Sequence, residues 1–133
     1  MKVTRGEIYL AELPVAGRSI QAGFRPVVVI SNDDGCNEFS PVINVVPLTS
    51  NRSKNNLPTH ITVSKECGLL KDSVALVEQS MLISKDILIK KVGDCDPLTI
   101  RSIDRAILIQ FGLLKKVQNT IQKHARRQEK ELV

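Results

Sequence analysis

The chain has no Trp, one Tyr and three Phe among its 133 residues, so large aromatic surfaces for stacking planar ligands are scarce. Tyr9, Phe24, Phe39 and Phe111 are all it has. Only two His are present, and His124 falls in the C-terminal stretch, which leaves His60 as the body's one imidazole. A two-histidine acid–base site is thereby excluded there. Three cysteines, Cys36, Cys67 and Cys95, form no CxxC pair, and their odd number argues against a disulfide framework. Each reads as a small buried or edge residue rather than a metal ligand, and no metal or cofactor is expected. No apolar run approaches the roughly 18 residues of a membrane span, and "MKVTRGEIYL" enters a strand pattern without a secretory core. A reducing cytoplasm is the expected compartment.

What the chain does have is an excess of positive charge, formally +5, with an uneven distribution. From Lys115 onward there are six Lys or Arg against two Glu, whereas residues 1–114 hold 13 basic against 12 acidic residues. The body is almost neutral. Any anion site in it must be built from a few placed side chains rather than from bulk charge.

At this length one domain can bury a core without staples, and the expected division is residues 1–122 as that domain and 123–133 as a polar basic tail. Five short runs rich in Val, Ile and Leu, "EIYLAEL", "RPVVVIS", "PVINVVPL", "HITV" and "SVALVEQ", are separated by Gly, Pro, Asn and Asp clusters. They predict a twisted antiparallel sheet or small barrel. "ILIKKVG" (87–93) reads as one more strand, and Ser84 before it suits the cap of a short turn.

One long helix is predicted from Asp96, a natural N-cap, with Pro97 at the first helical position. Leu98, Ile100, Ile103, Ile107, Phe111, Leu114, Val117 and Ile121 recur three or four apart, marking one buried stripe. Gly112 interrupts it and is expected to kink it or to allow a close contact. The tail "KHARRQEKELV" reads as a solvated helical end or disordered chain, or else as a phosphate- or partner-binding segment.

Two connections are long for so small a sheet. "PVAGRSIQAG" (14–23) exceeds an ordinary hairpin loop, and "PLTSNRSKNNLPTH" (47–60) is full of hydroxyl and amide side chains. Arg25 ends the first and Thr49 opens the second. If their strands are neighbours, the two side chains face one pocket.

The segments "RGEIYLAEL", "GRSIQAGFRPVVVIS", "PLTS", "LPTH" and "DSVALVEQ" resemble, in order, those of the MazF/PemK/Kid toxin endoribonucleases, from residue 4 to about residue 113. The resemblance implies an α+β, mainly β fold: an SH3-like (CcdB/PemK-type) twisted antiparallel barrel with a long C-terminal helix. It implies a homodimeric mRNA interferase that cuts single-stranded RNA without a metal and is inhibited by an acidic, MazE-like antitoxin. By position, Arg25 and Thr49 match the catalytic pair. Ser19 and Gln21 fall on RNA-contacting positions, and Thr59, Glu78 and Gln79 on positions near the bound bases. Ile20 and Ala22 depart from the acidic residue and glycine of many relatives, Phe24 is bulkier, and residues 32–38 run one residue longer than in some. These departures rim the place where bases are read, so the cleaved sequence does not transfer.

The chemistry fits without a metal, because the RNA 2′-hydroxyl is already tethered beside the phosphate it attacks. Charge stabilisation and two proton transfers remain. A guanidinium offers a planar fork of N–H donors to phosphate oxygens and keeps its proton at neutral pH. Arg25 is therefore cast as the stabiliser of the transition state and as a proton donor to the leaving 5′-oxygen, with Thr49 hydrogen-bonding a phosphate oxygen. His60, Glu78 and a fixed water are the candidate general bases. The products would be a 2′,3′-cyclic phosphate and a 5′-hydroxyl.

Read alone, each residue has a plainer role: Arg25 as a surface cation with a packed stem, Thr49 as a strand-end threonine, His60 as structural or base-stacking, Glu78 and Gln79 as the close of a strand. Of the aromatics, Phe24 is the one placed to touch a base. Two other functions compete. A non-catalytic homologue that binds only RNA or antitoxin would be favoured by loss of Arg25 or Thr49, and both are present. A gyrase poison of the same fold would carry a Trp-Gly-Ile ending, whereas this sequence reads Glu-Leu-Val there and has no Trp.

Overall fold

The computed structural model describes residues 2–15, 17–51 and 56–132. Ala16 of the first long loop, and Arg52, Ser53, Lys54 and Asn55 of the second, lie outside the described residues.

Seven strands form: β1 (Glu7–Leu13), β2 (Gly23–Val29), β3 (Val42–Thr49), β4 (His60–Val63), β5 (Ser73–Leu76), β6 (Met81–Ser84) and β7 (Leu88–Asp94). They make one antiparallel sheet of order β4-β5-β3-β2-β1-β7, with β6 also paired to β3. Among the described residues the path stays open, so the expected barrel is not closed by hydrogen bonds. Two differences follow from short segments. "SVALVEQ" ends as a strand at Leu76 and turns at Val77–Gln79, and "MLIS", not among the expected strands, is strand β6. Ser84 does cap the turn that follows, accepting from the Asp86 N–H at 3.2 Å.

Both faces of the central strands are buried, and this explains the unbroken "VVV" of β2, because alternate side chains enter different cores. Val27 and Val29 join Tyr9, Ala11, Leu13, Ile43, Val45 and Ile83 in one cluster. Val28 joins Ile8, Val46, Leu48, Val63 and Val77 in a second, closed by Ile103 and Ala106 of helix α1 (Pro97–Gln110). α1 starts as expected: Asp96 caps it by accepting from the Thr99 N–H at 2.7 Å, a bond that holds its carboxyl below the usual carboxylate range. α1 lies over β4 and the Val77–Gln79 turn. Arg5 ties it to the sheet, giving Nε to the Ile30 carbonyl at 2.8 Å and Nη2 to Asp104 at 2.6 Å.

The one long helix is two. At Gly112, with φ +70°, the chain closes a Schellman ending: Gly112 N–H reaches the Ile109 carbonyl at 3.1 Å and Leu113 N–H the Leu108 carbonyl at 2.8 Å. A second helix, α2 (Leu114–Leu132), runs on through residue 122 with no buried residue. Of the expected stripe only Ile103 is buried, with Ile100 and Ile107 half-buried beside it, while Leu98, Phe111, Val117 and Ile121 are exposed.

The cysteines are all free: Cys36 exposed, Cys67 in the second cluster, Cys95 partly buried. Burial pushes the Cys95 thiol up to about 12, which leaves it unreactive at neutral pH. Among the described residues no helix is long and apolar enough to cross a membrane.

Candidate active site

The β2–β3 ladder ends just short of Arg25 and Thr49. Its hydrogen-bonded pairs alternate, with the Ile30 N–H bonded to the Asn44 carbonyl at 2.9 Å, so the bonded positions that follow are Val28 with Val46 and Pro26 with Leu48. Pro26 has no N–H to give, and the last pair of the ladder is Val27 with Pro47. Arg25 and Thr49 each stand two residues beyond that pair, on one face of the sheet. On its other edge β3 continues to pair with β5, Thr49 opposite Val74. The two strands part there with one cation and one hydroxyl at the opening.

Arg25 is half-buried and donates Nε–H to the Ala22 carbonyl at 3.2 Å, which fixes the plane of the guanidinium. Among the described residues Nη1 and Nη2 have no protein partner, so four N–H donors are left for an anion. Thr49 is 4% exposed and accepts the Asn51 N–H on Oγ1 at 3.2 Å, leaving its hydroxyl hydrogen to be donated.

Gln79 uses both ends of its amide on the first loop. Its Oε1 accepts from the Gln21 N–H at 2.8 Å, and its Nε2 donates to the Ser19 carbonyl at 2.9 Å. The loop that carries exposed Ser19 and buried Gln21 is thus pinned to the Val77–Gln79 turn, while Gln21 Oε1 is buried with no partner. Thr59 is buried too, and its carbonyl takes the Val77 N–H at 3.1 Å. We expect Gln79→Ala to free this loop. Two hydrogen bonds of roughly 1 kcal/mol each predict up to about a thirtyfold fall in kcat/KM. Tryptic cutting after exposed Arg18 should quicken in parallel, with Gln79→Glu, which keeps only the acceptor, in between; unchanged cutting would show that the amide does not hold the loop.

His60 and Glu78, the two candidate bases, are bonded to each other, Nε2 to Oε2 at 2.5 Å. The His60 side chain is 6% exposed, and its Nδ1 and Glu78 Oε1 are buried without partners. His60 stands on β4, with β5 and β3 between it and Arg25. The fold therefore bonds His60 to Glu78, apart from Arg25 and Thr49, which stand at matched positions past the end of the β2–β3 ladder.

Phe24, 67% exposed, points to the other face of β2 from Arg25. It heads a cleft of about 310 Å³ lined also by Pro26, Leu48, Leu69 and Lys71, whose rim Arg25 shares. Sequence reasoning passed over Leu69 and Lys71. The available signal was a leucine pair in the polar turn "GLLKD", where no strand or helix pattern needs apolar side chains.

Residues 4–111 match the family described as the PemK-like, MazF-like toxin of type II toxin-antitoxin systems. The endoribonuclease EndoA of Bacillus subtilis is 42% identical over 116 residues, 86% of this chain and 98% of EndoA. A MazF structure from Deinococcus radiodurans superimposes with a TM-score of 0.72 at 15% identity, covering 84% of this chain and 98% of that one. A mycobacterial endoribonuclease bound to its cognate antitoxin gives 0.69 at 23% identity, covering 84% and 96%. With the match spanning the whole sheet and α1, the chain belongs to the PemK-like, MazF-like family of type II toxins.

Proposed function

We propose that this toxin is an endoribonuclease that cuts single-stranded mRNA without a metal. The RNA 2′-hydroxyl attacks the adjacent phosphate, leaving a 2′,3′-cyclic phosphate and a 5′-hydroxyl. The observation that carries this is that Arg25, with four N–H donors unused among the described residues, and the Thr49 hydroxyl stand at matched positions just past the last β2–β3 pair. Arg25 stabilises the charge gathering on the phosphorane oxygens and protonates the departing 5′-oxygen; Thr49 donates to a third oxygen. Since His60 and Glu78 are engaged with each other, a fixed water is the base this geometry favours. Ser19, Gln21, Phe24 and Thr59 border the RNA path, with Gln79 holding the loop. Residues 1–122 form the toxin domain and 123–133 the basic tail. The toxin works as a cytoplasmic homodimer and is silenced by an acidic MazE-like antitoxin.

The test is incubation of the folded, antitoxin-free protein with a long RNA in EDTA, with the new 5′ ends mapped. Cleavage should survive chelation and leave 5′ ends that a kinase phosphorylates without prior phosphatase treatment. Intact RNA, or cleavage that EDTA abolishes, would overturn the assignment.

A further inference from the structure

Helix α2 lies wholly beyond the family match, which ends at residue 111, and it carries most of the chain's net charge. At 3.6 residues per turn its six cations, Lys115, Lys116, Lys123, Arg126, Arg127 and Lys130, fall within an arc of about 120°. Leu114, Val117, Ile121, Ala125 and Leu132 occupy the opposite side. Among the described residues no α2 cation is paired with a carboxylate, and none is buried. From Lys115 to Lys130 the basic face runs about 22 Å along the axis. It departs from the end of α1, which lies over the turn bearing Glu78 and Gln79.

We propose that this face is an RNA-backbone arm, binding phosphates of the same strand that the Arg25 site cuts, outside the cleaved segment. The inference rests on RNA being the substrate. Charge complementarity favours that occupant: the body is almost neutral, so most of the net positive charge that can attract a polyanion at long range lies on α2. Phosphate binding of this kind adds affinity without reading bases.

The experiment compares the full chain with a variant carrying Lys115→Gln, Lys116→Gln, Lys123→Gln, Arg126→Gln, Arg127→Gln and Lys130→Gln. Binding to a single-stranded 2′-O-methyl oligonucleotide, which lacks the attacking hydroxyl, is measured across salt concentrations. The slope of log K against log salt should become shallower by about 0.7 for each phosphate that the variant no longer neutralises, up to about 4 for all six. In parallel, kcat/KM for a long RNA, relative to that for a substrate of a few nucleotides, should fall about tenfold or more. Equal slopes and an equal long-to-short ratio in the two proteins would overturn the arm. So would equal slopes accompanied by loss of binding to anionic vesicles, or by loss of self-association, in the variant. If neither protein cleaves RNA while the slopes differ, α2 still binds RNA phosphates, but the nuclease assignment falls and with it the arm's part in cleavage.

Discussion

Arg25→Ala will lower kcat/KM for RNA cleavage by at least about 100-fold, equivalent to about 2.7 kcal/mol of transition-state stabilisation. The loss should lie in kcat, because the four free N–H donors matter most when charge gathers on the phosphorane. Arg25→Lys keeps a charge but loses the planar fork, so it should recover little of that loss. Arg25 also holds the Ala22 carbonyl, and a loosened loop could mimic a catalytic defect. Circular dichroism together with tryptic cutting after Arg18 separates the two. Wild-type cutting with collapsed kcat supports direct stabilisation. Activity within about threefold of wild type in Arg25→Ala would remove Arg25 from the mechanism.

The second large effect is on stability. Gly93 of β7 lies against the backbone of the short helical turn Lys65–Cys67, and a Cβ on it would stand 1.7 Å from the Cys67 carbonyl oxygen and 2.9 Å from Gly68 Cα. Gly68 meets β7 in return, where a Cβ would lie 2.2 Å from the Val92 carbonyl oxygen. Neither neighbour is a side chain that can swing away. Relief requires shifting the turn, and Cys67 with it, out of the second core cluster. Gly93→Ala should therefore cost at least about 3 kcal/mol, read as a lower urea midpoint at unchanged slope. Gly112→Ala provides the contrast. Its site is open and only its positive φ opposes a side chain, so about 1 kcal/mol is expected. Equal midpoints for Gly93→Ala and wild type would mean that the turn is not seated on β7.

Local signals carried much of this architecture. Val and Ile runs punctuated by Gly, Pro and Asn placed β1, β2, β3, β4 and β7, and Asp96-Pro97 placed the start of α1, because these preferences act within a few residues. The helix break was legible too: Gly112 followed by Leu113 fits a Schellman ending, but the continuing apolar spacing masked it. β6 was not legible, since four residues become a strand only when β3 lies beside them. The same holds for Gly93, whose need for glycine comes from a turn 25 residues earlier.

For the site, the sequence by itself determined which groups are available: one arginine before a proline, one threonine at a strand end, one body imidazole, and a tail rich in cations. Only the tertiary structure decided their company. Arg25 and Thr49 are 24 positions apart and fall at matched positions just past the last β2–β3 pair, Val27 with Pro47. His60 and Glu78 pair because β4 lies along β5, and Gln79 turns to a loop 58 positions before it. Backbone preference is local and can be read along the chain, whereas the partner of a polar side chain is set by strand register and chain reversal.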